Sequence, residues 1–394
     1  MTWTTKAKQL SLTRQTPHTS SVTGVVGRSP GFSTISFGPL DLYGAAARCS
    51  YLHAVNTALV TPESHMISAL IEQYVDDVSS DFAILVNATT FKDFVKSYFA
   101  GTVAAGLAYL AMIDDGYIWG DHYENVGGGN SAVAKSPDFV FTSNGDVALM
   151  ESKGTRSARL NAFDGTVESG YVDQVNPHLG YTVGGGIATH GFCIGSWLTS
   201  PNKAELVVHH TASPVPAGAG ASGSQPGLAL TGIQRQNYAT AFTLAHSVAV
   251  GEQFRSPGTA SEDVPFVRIV WRDRVWVTSF NSRAWPWWWD DYFFFPDNDL
   301  DLWEIYAPKT VPPFFAIEET IARASLARFH RTEQGTGDDI RIEPLSRDLR
   351  FAGFSAEQPQ SGAAFPDGLA VIRGDFKIVG RAVWSPARAT YREL

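Results

Sequence analysis

The chain has 394 residues, 44% of them hydrophobic and 18% charged, and 30 Lys and Arg against 39 Asp and Glu give a net charge of −9. That length and apolar content support sizeable cores without a disulfide staple, and the acidic balance excludes a polybasic, histone-like nucleic-acid binder. A local basic groove is still allowed, because residues 1–40 carry four cations and no acid while residues 41–129 carry three cations and eleven acids.

Residues 1–40 are rich in Ser, Thr, Gly and Pro and are expected to form an extended arm or irregular strands. The N-terminus has no apolar segment ahead of a small-residue cleavage site, so no signal peptide is expected. The two cysteines, Cys49 and Cys193, form neither a metal-ligand spacing nor a disulfide framework, which points to a reducing, cytoplasmic setting. Thr61-Pro62-Glu63 opens a predicted helix over 61–78, with Met66, Leu70, Ile71 and Tyr74 on its apolar face. A second helix is predicted from Thr90 to Met112 and ends at Asp114-Asp115-Gly116. Its apolar stretch Val103–Ile113 is too short to span a bilayer, so no membrane partner is expected.

Residues 136–142 and 147–153 read as two strands joined by Ser143-Asn144-Gly145-Asp146, a strong short-hairpin signal. A glycine-broken helical stretch over 168–188 follows, then strands over Gly191–Thr199 and Glu205–His210. Residues 213–227 are of low complexity and read as a flexible linker or loop. A helix over 228–250, strands near Val267–Ile269 and Val275–Phe280, a helix over 316–331 and short strands near 369–384 complete the chain. The expected organisation is an N-terminal arm (1–40), an α/β core (41–212), the linker (213–227) and a C-terminal α+β region (228–394) of unassigned role.

The constellation that carries chemistry is Pro137-Asp138, then, after twelve residues, Glu151-Ser152-Lys153. If Asn144 and Gly145 are the central turn residues, Ser143 pairs with Asp146 and Asp138 falls opposite Glu151. Their Cβ atoms are then roughly 5 Å apart on one face, and Lys153 shares that face because strand side chains alternate. Two carboxylates so placed repel unless a cation lies between them. Mg²⁺ suits such a pair, since it takes oxygen ligands from one or two carboxylates plus substrate phosphate, and Mn²⁺ would substitute. Lys153 is placed to orient a water or to stabilise charge growing on a phosphoryl group. Phe139, Phe141, Ala148 and Met150 alternate to the opposite, core-facing side. The plainer alternative is a surface hairpin with a Lys–Glu ion pair worth about 0.2–1 kcal/mol.

Asp138 and Glu151-Ser152-Lys153-Gly154-Thr155, set in helix–strand–hairpin–helix–strand order, resemble the PD-(D/E)XK nuclease superfamily over about residues 60–212. The resemblance implies an α/β, restriction-endonuclease-like core with a mixed central sheet flanked by helices. It implies Asp138 and Glu151 as metal ligands, the Ser152 main-chain carbonyl assisting, and Lys153 as the catalytic lysine. The superfamily often adds an acid from the preceding helix, yet Thr102 to Leu110 contain none. Asp114, Asp115, Glu124 and Glu72 are the substitutes, and the number of metals stays open. Some members place a Gln, with a Tyr further on, in the helix after the lysine strand. Gln174 and Tyr181 match that pattern, with His178 four residues from Gln174, although Pro177 and Gly180 disturb such a helix.

Arg156 and Arg159 follow the lysine strand and are candidates for backbone-phosphate contacts, against the alternative of solvated loop cations. His209-His210 read as a strand end and not as metal ligands, and the glycine runs 127–129 and 184–186 read as turns. The aromatic segment Trp285–Phe295 has acidic neighbours, including Asp290 and Asp291, which favour core packing or a protein or homo-oligomer interface over base stacking. Arg268, Arg272, Arg274 and Arg283 are the C-terminal cations that could face nucleic acid. The resulting expectation is a Mg²⁺-dependent deoxyribonuclease with DNA as partner, set in bacterial restriction or anti-phage defence. The alternatives are a non-catalytic nuclease-like scaffold subunit and an RNA-directed nuclease.

Overall fold

The computed structural model describes residues 3–50, 57–85, 88, 92–143, 145–156, 158–199, 203–212, 232–258, 262–279, 313–333, 340–346, 349, 360–374 and 376–394. The linker over 213–227, the aromatic segment Trp285–Phe295, Arg283 and Asn144 lie outside the described residues. The chain is α/β and divides into two units. Unit 1 comprises Met1–Leu52, Ile67–Asn237 and Phe354–Pro359, and unit 2 comprises His53–Met66, Tyr238–Gly353 and Gln360–Leu394.

Unit 1 is built on an eight-stranded mixed sheet. Its strands are β1 (Lys8–His18), β2 (Thr34–Phe37), β3 (Trp119–His122), β4 (Phe139–Ser143), β5 (Asp146–Thr155), β6 (Thr182–Val183), β7 (Gly186–Trp197) and β8 (Glu205–Thr211). The order is β2-β1-β8-β7-β5-β4-β3, with β6 paired to β7 off this path. β1 runs parallel to β8, and β5 parallel to β7, while the other neighbours are antiparallel. Residues 1–40 are therefore not a separate arm, because β1 lies inside the sheet between β2 and β8. Pairing between strands nearly two hundred residues apart leaves no local signature in a Ser/Thr-rich segment.

The helices of this unit are α1 (Pro39–Arg48), the second half of α2 (Thr57–Tyr74), α3 (Asp93–Asp115), the single turn α4 (Tyr123–Val126) and α5 (Leu160–Gly170). α3 starts and ends three residues later than predicted and stops at Gly116, whose φ of 111° suits a left-handed cap. Its segment Val95–Asp115 is long and apolar enough to cross a membrane, yet 67% of it is buried inside the protein. It packs on the even-numbered face of β5, where a methyl group on Gly154 would meet the Ala100 carbonyl at 2.5 Å. α5 covers the other face, where Phe163 and Val167 fill the space over Gly195. The broken helix predicted over 168–188 is the end of α5, a π-helical turn over Tyr171–Val175 and a 3-10 turn over Asn176–His178, while its last part is strand, β6 and the start of β7.

Unit 2 holds an antiparallel seven-stranded sheet in the order β12-β13-β11-β10-β9-β14-β15. The strands are β9 (Val264–Trp271), β10 (Arg274–Thr278), β11 (Phe314–Glu318), β12 (Gly362–Ala364), β13 (Leu369–Ile372), β14 (Lys377–Ser385) and β15 (Thr390–Glu393). The predicted 228–250 helix is two helices, α6 (Gly232–Leu244) and α7 (Val248–Arg255), parted at His246, whose φ is 62°. The boundary between the units falls inside α6, and α8 (Glu319–Glu333) belongs to unit 2. Arg268 binds Glu319 through two nitrogens, Arg272 donates to the Leu349 and Gly362 carbonyls, and Arg274 lies 3.6 Å from Glu318. Of these candidates for facing nucleic acid, Arg268 and Arg272 are engaged inside unit 2, whereas Arg274 stays exposed beside Glu318.

Candidate active site

The hairpin of β4 and β5 has the register expected from its turn. Ser143 pairs with Asp146 and Phe139 with Met150, and Gly145 takes a φ of 98°. Phe139, Phe141, Ala148 and Met150 are buried on the core side. Asp138 lies one residue before β4 and continues the same register to Glu151. The Asp138 N–H donates to Glu151 Oε2 at 3.0 Å, and the Ser152 N–H donates to Asp138 Oδ2 at 2.9 Å. Ser152, expected to act through its carbonyl, thus makes its observed contact through its N–H. Each acid is anchored to the opposing strand, which fixes both carboxylates side by side.

Lys153 Nζ donates to Glu151 Oε1 and, at 3.1 Å, to Gln174 Oε1. Gln174 Nε2 in turn donates to the Ser136 carbonyl at 3.0 Å. Gln174 is brought to the lysine by the π-helical turn that continues α5. The site therefore gathers Asp138, Glu151, Ser152, Lys153 and Gln174.

Electrostatics follow from crowding. The Glu151 side chain is 1% exposed, and burial, reinforced by the Asp138 charge, pushes its pKa up to about 7. Loss of hydration also raises Asp138, against the pull of the Ser152 N–H and of Lys153. Burial lowers the Lys153 pKa, but the bond to Glu151 and the charge beside it outweigh that and leave it raised. Both shifts come first from burial, so each acid would have to give up its proton to ligate a cation. The donor set fits Mg²⁺ or Mn²⁺ through Asp138 and Glu151, with water or phosphate oxygens completing the shell. Among the described residues there is no cluster of three His, Cys, Asp or Glu side chains around one point.

The remaining candidates separate. Glu124, on α4, is exposed and close enough for its charge to raise Asp138, so it borders the site. Asp115 is elsewhere: its carboxylate holds the Gly31 N–H and lies 3.2 Å from Arg28. Arg156 is not a phosphate contact, since it is buried over the Phe99 ring and donates to the Ala88 carbonyl at 2.9 Å. Arg159 is exposed at the start of α5, and Tyr181 is 44% exposed and outside the Lys153–Gln174 hydrogen bonds. Gly127, Gly128 and Gly129 all take positive φ, as the turn reading expects.

Sequence reasoning missed two residues that shape the site. Gly170, the last residue of α5, sits against Cys193, Lys153 and Glu151, and a methyl group there would lie 2.8 Å from Cys193 Sγ. Glu151 pairs with Cys193, and Cys193 with His209, so one lateral row runs from the acid across three strands. His209 is bonded to His18 at 2.8 Å and Asp164 at 3.2 Å, while His210 meets Gln15 at 3.1 Å and the Arg28 carbonyl at 3.1 Å. Only the parity of β5, β7 and β8 could have aligned these residues in advance, and that needs the strand order. No protein-family model, curated protein or solved structure matches this chain.

Proposed function

We propose that this protein is a metal-dependent phosphodiesterase acting on DNA, with unit 1 as a restriction-endonuclease-like core. The observation that carries the proposal is the hairpin register, which brings Asp138, Glu151 and Lys153 together with Gln174. When bound at Asp138 and Glu151, Mg²⁺ or Mn²⁺ would polarise a phosphoryl oxygen and favour deprotonation of an attacking water. Glu151 must give up its proton to serve there, and its raised pKa places that loss near neutral pH. Lys153, held by Glu151 and Gln174, presents its ammonium where negative charge grows on the phosphoryl group. Gln174 restricts the lysine to one position by bonding its amine and the Ser136 carbonyl together.

Among the described residues, few cations near the site are available for backbone contacts. Lys135 and Arg159 are exposed near the hairpin, and Lys135 is paired with Asp173 at 2.9 Å. Binding without sequence preference is therefore expected to be weak at physiological salt. A role in bacterial restriction or anti-phage defence rests on the family resemblance alone.

The test is purified protein with Mg²⁺ or Mn²⁺ on supercoiled, linear and single-stranded DNA and on RNA. Cleavage of DNA leaving 5′-phosphate and 3′-hydroxyl ends is expected. Cleavage of RNA only would move the substrate, and no cleavage of any of them would favour a non-catalytic scaffold.

A further inference from the structure

The strand ladder first takes hold at Asp138, whose carbonyl accepts the Tyr123 N–H at 3.0 Å, and the segment before it, Gly127 to Pro137, has no regular element beyond a bridge from Gly128 to Val183. A second stretch of chain fixes the approach to the acid. His178, 2% exposed in the 3-10 turn, receives the Asn130 N–H at 3.1 Å and the Tyr123 hydroxyl at 2.9 Å on Nδ1. Its Nε2 meets the Lys135 carbonyl at 2.8 Å. A carbonyl only accepts, so these partners assign the ring proton to Nε2 and the lone pair to Nδ1. One neutral imidazole thus ties the start of the segment to its end. The Pro177 carbonyl accepts from the Asn130 side-chain amide at 3.1 Å, Asp173 accepts from Lys135 Nζ at 2.9 Å, and Gln174 Nε2 donates to the Ser136 carbonyl at 3.0 Å.

Four consecutive positions of the loop's return, Lys135 to Asp138, are therefore pinned in order. Lys135 is held by His178 and Asp173, Ser136 by Gln174, and Asp138 by Glu151. Pro137, between them, has its φ fixed by its ring. The fit is tight at the near end, where any side chain on Gly129 would overlap the Tyr123 hydroxyl and crowd His178. Asp173, Gln174, Pro177 and His178 come from the π-helical turn and the 3-10 turn after it, and such one-turn irregularities recur where a helix must aim side chains at a site.

We infer that His178 is a positioning residue of the proposed metal site. As the hub of a clamp formed by residues 173–178, it holds Asp138 beside Glu151 before any metal arrives. This rests on the metal-dependent reading for its consequence, though not for its geometry. Without the clamp, the Asp138 segment would have to be ordered at the moment of metal binding, and the metal affinity would fall by that ordering cost. Lysine contacts are untouched, so turnover at saturating metal would change little.

Three variants and two readouts test this. His178→Phe keeps a ring of similar size and removes both hydrogen-bonding nitrogens. His178→Gln keeps a donor able to reach the Lys135 carbonyl. Tyr123→Phe removes one contact to Nδ1 and serves if the His178→Phe protein does not fold. The first readout is amide hydrogen exchange over residues 127–138 without added metal, and the second is Mn²⁺ affinity by electron paramagnetic resonance. His178→Phe is expected to speed exchange across that segment and weaken Mn²⁺ about tenfold, within what the loss of the ring's three hydrogen bonds can cost. His178→Gln should recover part of both, and Tyr123→Phe should show a smaller change in the same direction. The apparent Mg²⁺ requirement for cleavage should rise while kcat at saturating Mg²⁺ holds within about threefold. Unchanged exchange in His178→Phe, or in Tyr123→Phe should it be needed, would overturn the clamp. Unchanged Mn²⁺ affinity with faster exchange would overturn its link to the metal site. A wild-type protein that binds no Mn²⁺ would instead overturn the metal reading, with exchange still deciding the clamp.

Discussion

Gly170→Ala perturbs the site through packing alone. The glycine has a helical φ of −59°, so alanine brings no backbone strain, and the helix preference for alanine contributes about 1 kcal/mol in its favour. The added methyl, however, would lie 2.8 Å from Cys193 Sγ, 3.0 Å from Lys153 Cε and 3.4 Å from Glu151 Cγ. The lysine carbon belongs to a flexible side chain and can shift. The thiol is fully buried in β7 and has nowhere to go. Overpacking of this kind costs about 1–3 kcal/mol, which leaves a net destabilisation of about 0–2 kcal/mol. Cys193→Ala removes the tightest contact, so in that background Gly170→Ala should stabilise by about 0.5–1 kcal/mol. Urea unfolding of the wild type, the two single variants and the double variant should give a coupling of about 0.5–3 kcal/mol between these positions. Equal stabilisation by Gly170→Ala in both backgrounds would mean that α5 does not seat on the Glu151–Cys193 row, and the site geometry would fall with it.

Glu151 gives a pH signature in metal-free protein. Its pKa rises from 4.5 to about 7, mainly through burial, so the folded chain binds more protons than the unfolded chain between those values. Stability from this group is highest below its unfolded pKa and is lost as pH rises toward 7. Urea midpoints should fall over that window in the wild type and fall less in Glu151→Gln; equal slopes would contradict the burial reading. Arg156→Ala should cost about 2–3 kcal/mol through lost packing on Phe99 and an orphaned Ala88 carbonyl, with nucleic-acid affinity unchanged in a filter-binding assay. In unit 2, Arg272 and Asp273 close the β9–β10 hairpin with φ of 50° and 55°, the left-handed turn that glycine prefers. Asp273→Gly should raise stability by about 0.5–1 kcal/mol in thermal or urea unfolding.

The parts of the site legible in the sequence are those set by local rules. An Asn-Gly turn between alternating strands fixes the partner of every hairpin position, which is why the pairing of Asp138 with Glu151 follows from counting residues outward from the turn. Gln174 was legible only by resemblance, because what brings it to Lys153 is a π-helical turn. One residue of extra winding after Gly170 has no composition of its own, and Pro177 and Gly180 argued against a regular helix there. His178 was placed on the helix face of Gln174 by spacing, yet its partners Asn130 and Lys135 come from a loop more than forty residues upstream. β1 was hidden for the same reason, since its neighbour β8 is remote in sequence and the segment alternates weakly. Arg156 looked like a phosphate ligand because charge is visible in a sequence and burial over Phe99 is not.

The most direct measurement is DNA cleavage in saturating Mg²⁺ by the wild type, Asp138→Ala and Lys153→Ala, prepared identically and shown to be folded. Cleavage by the wild type with loss of at least about a hundredfold in each variant is expected, since the acid would hold the metal and the ammonium would face the charge that develops. Cleavage that survives both substitutions would contradict the assignment of this hairpin as the catalytic centre.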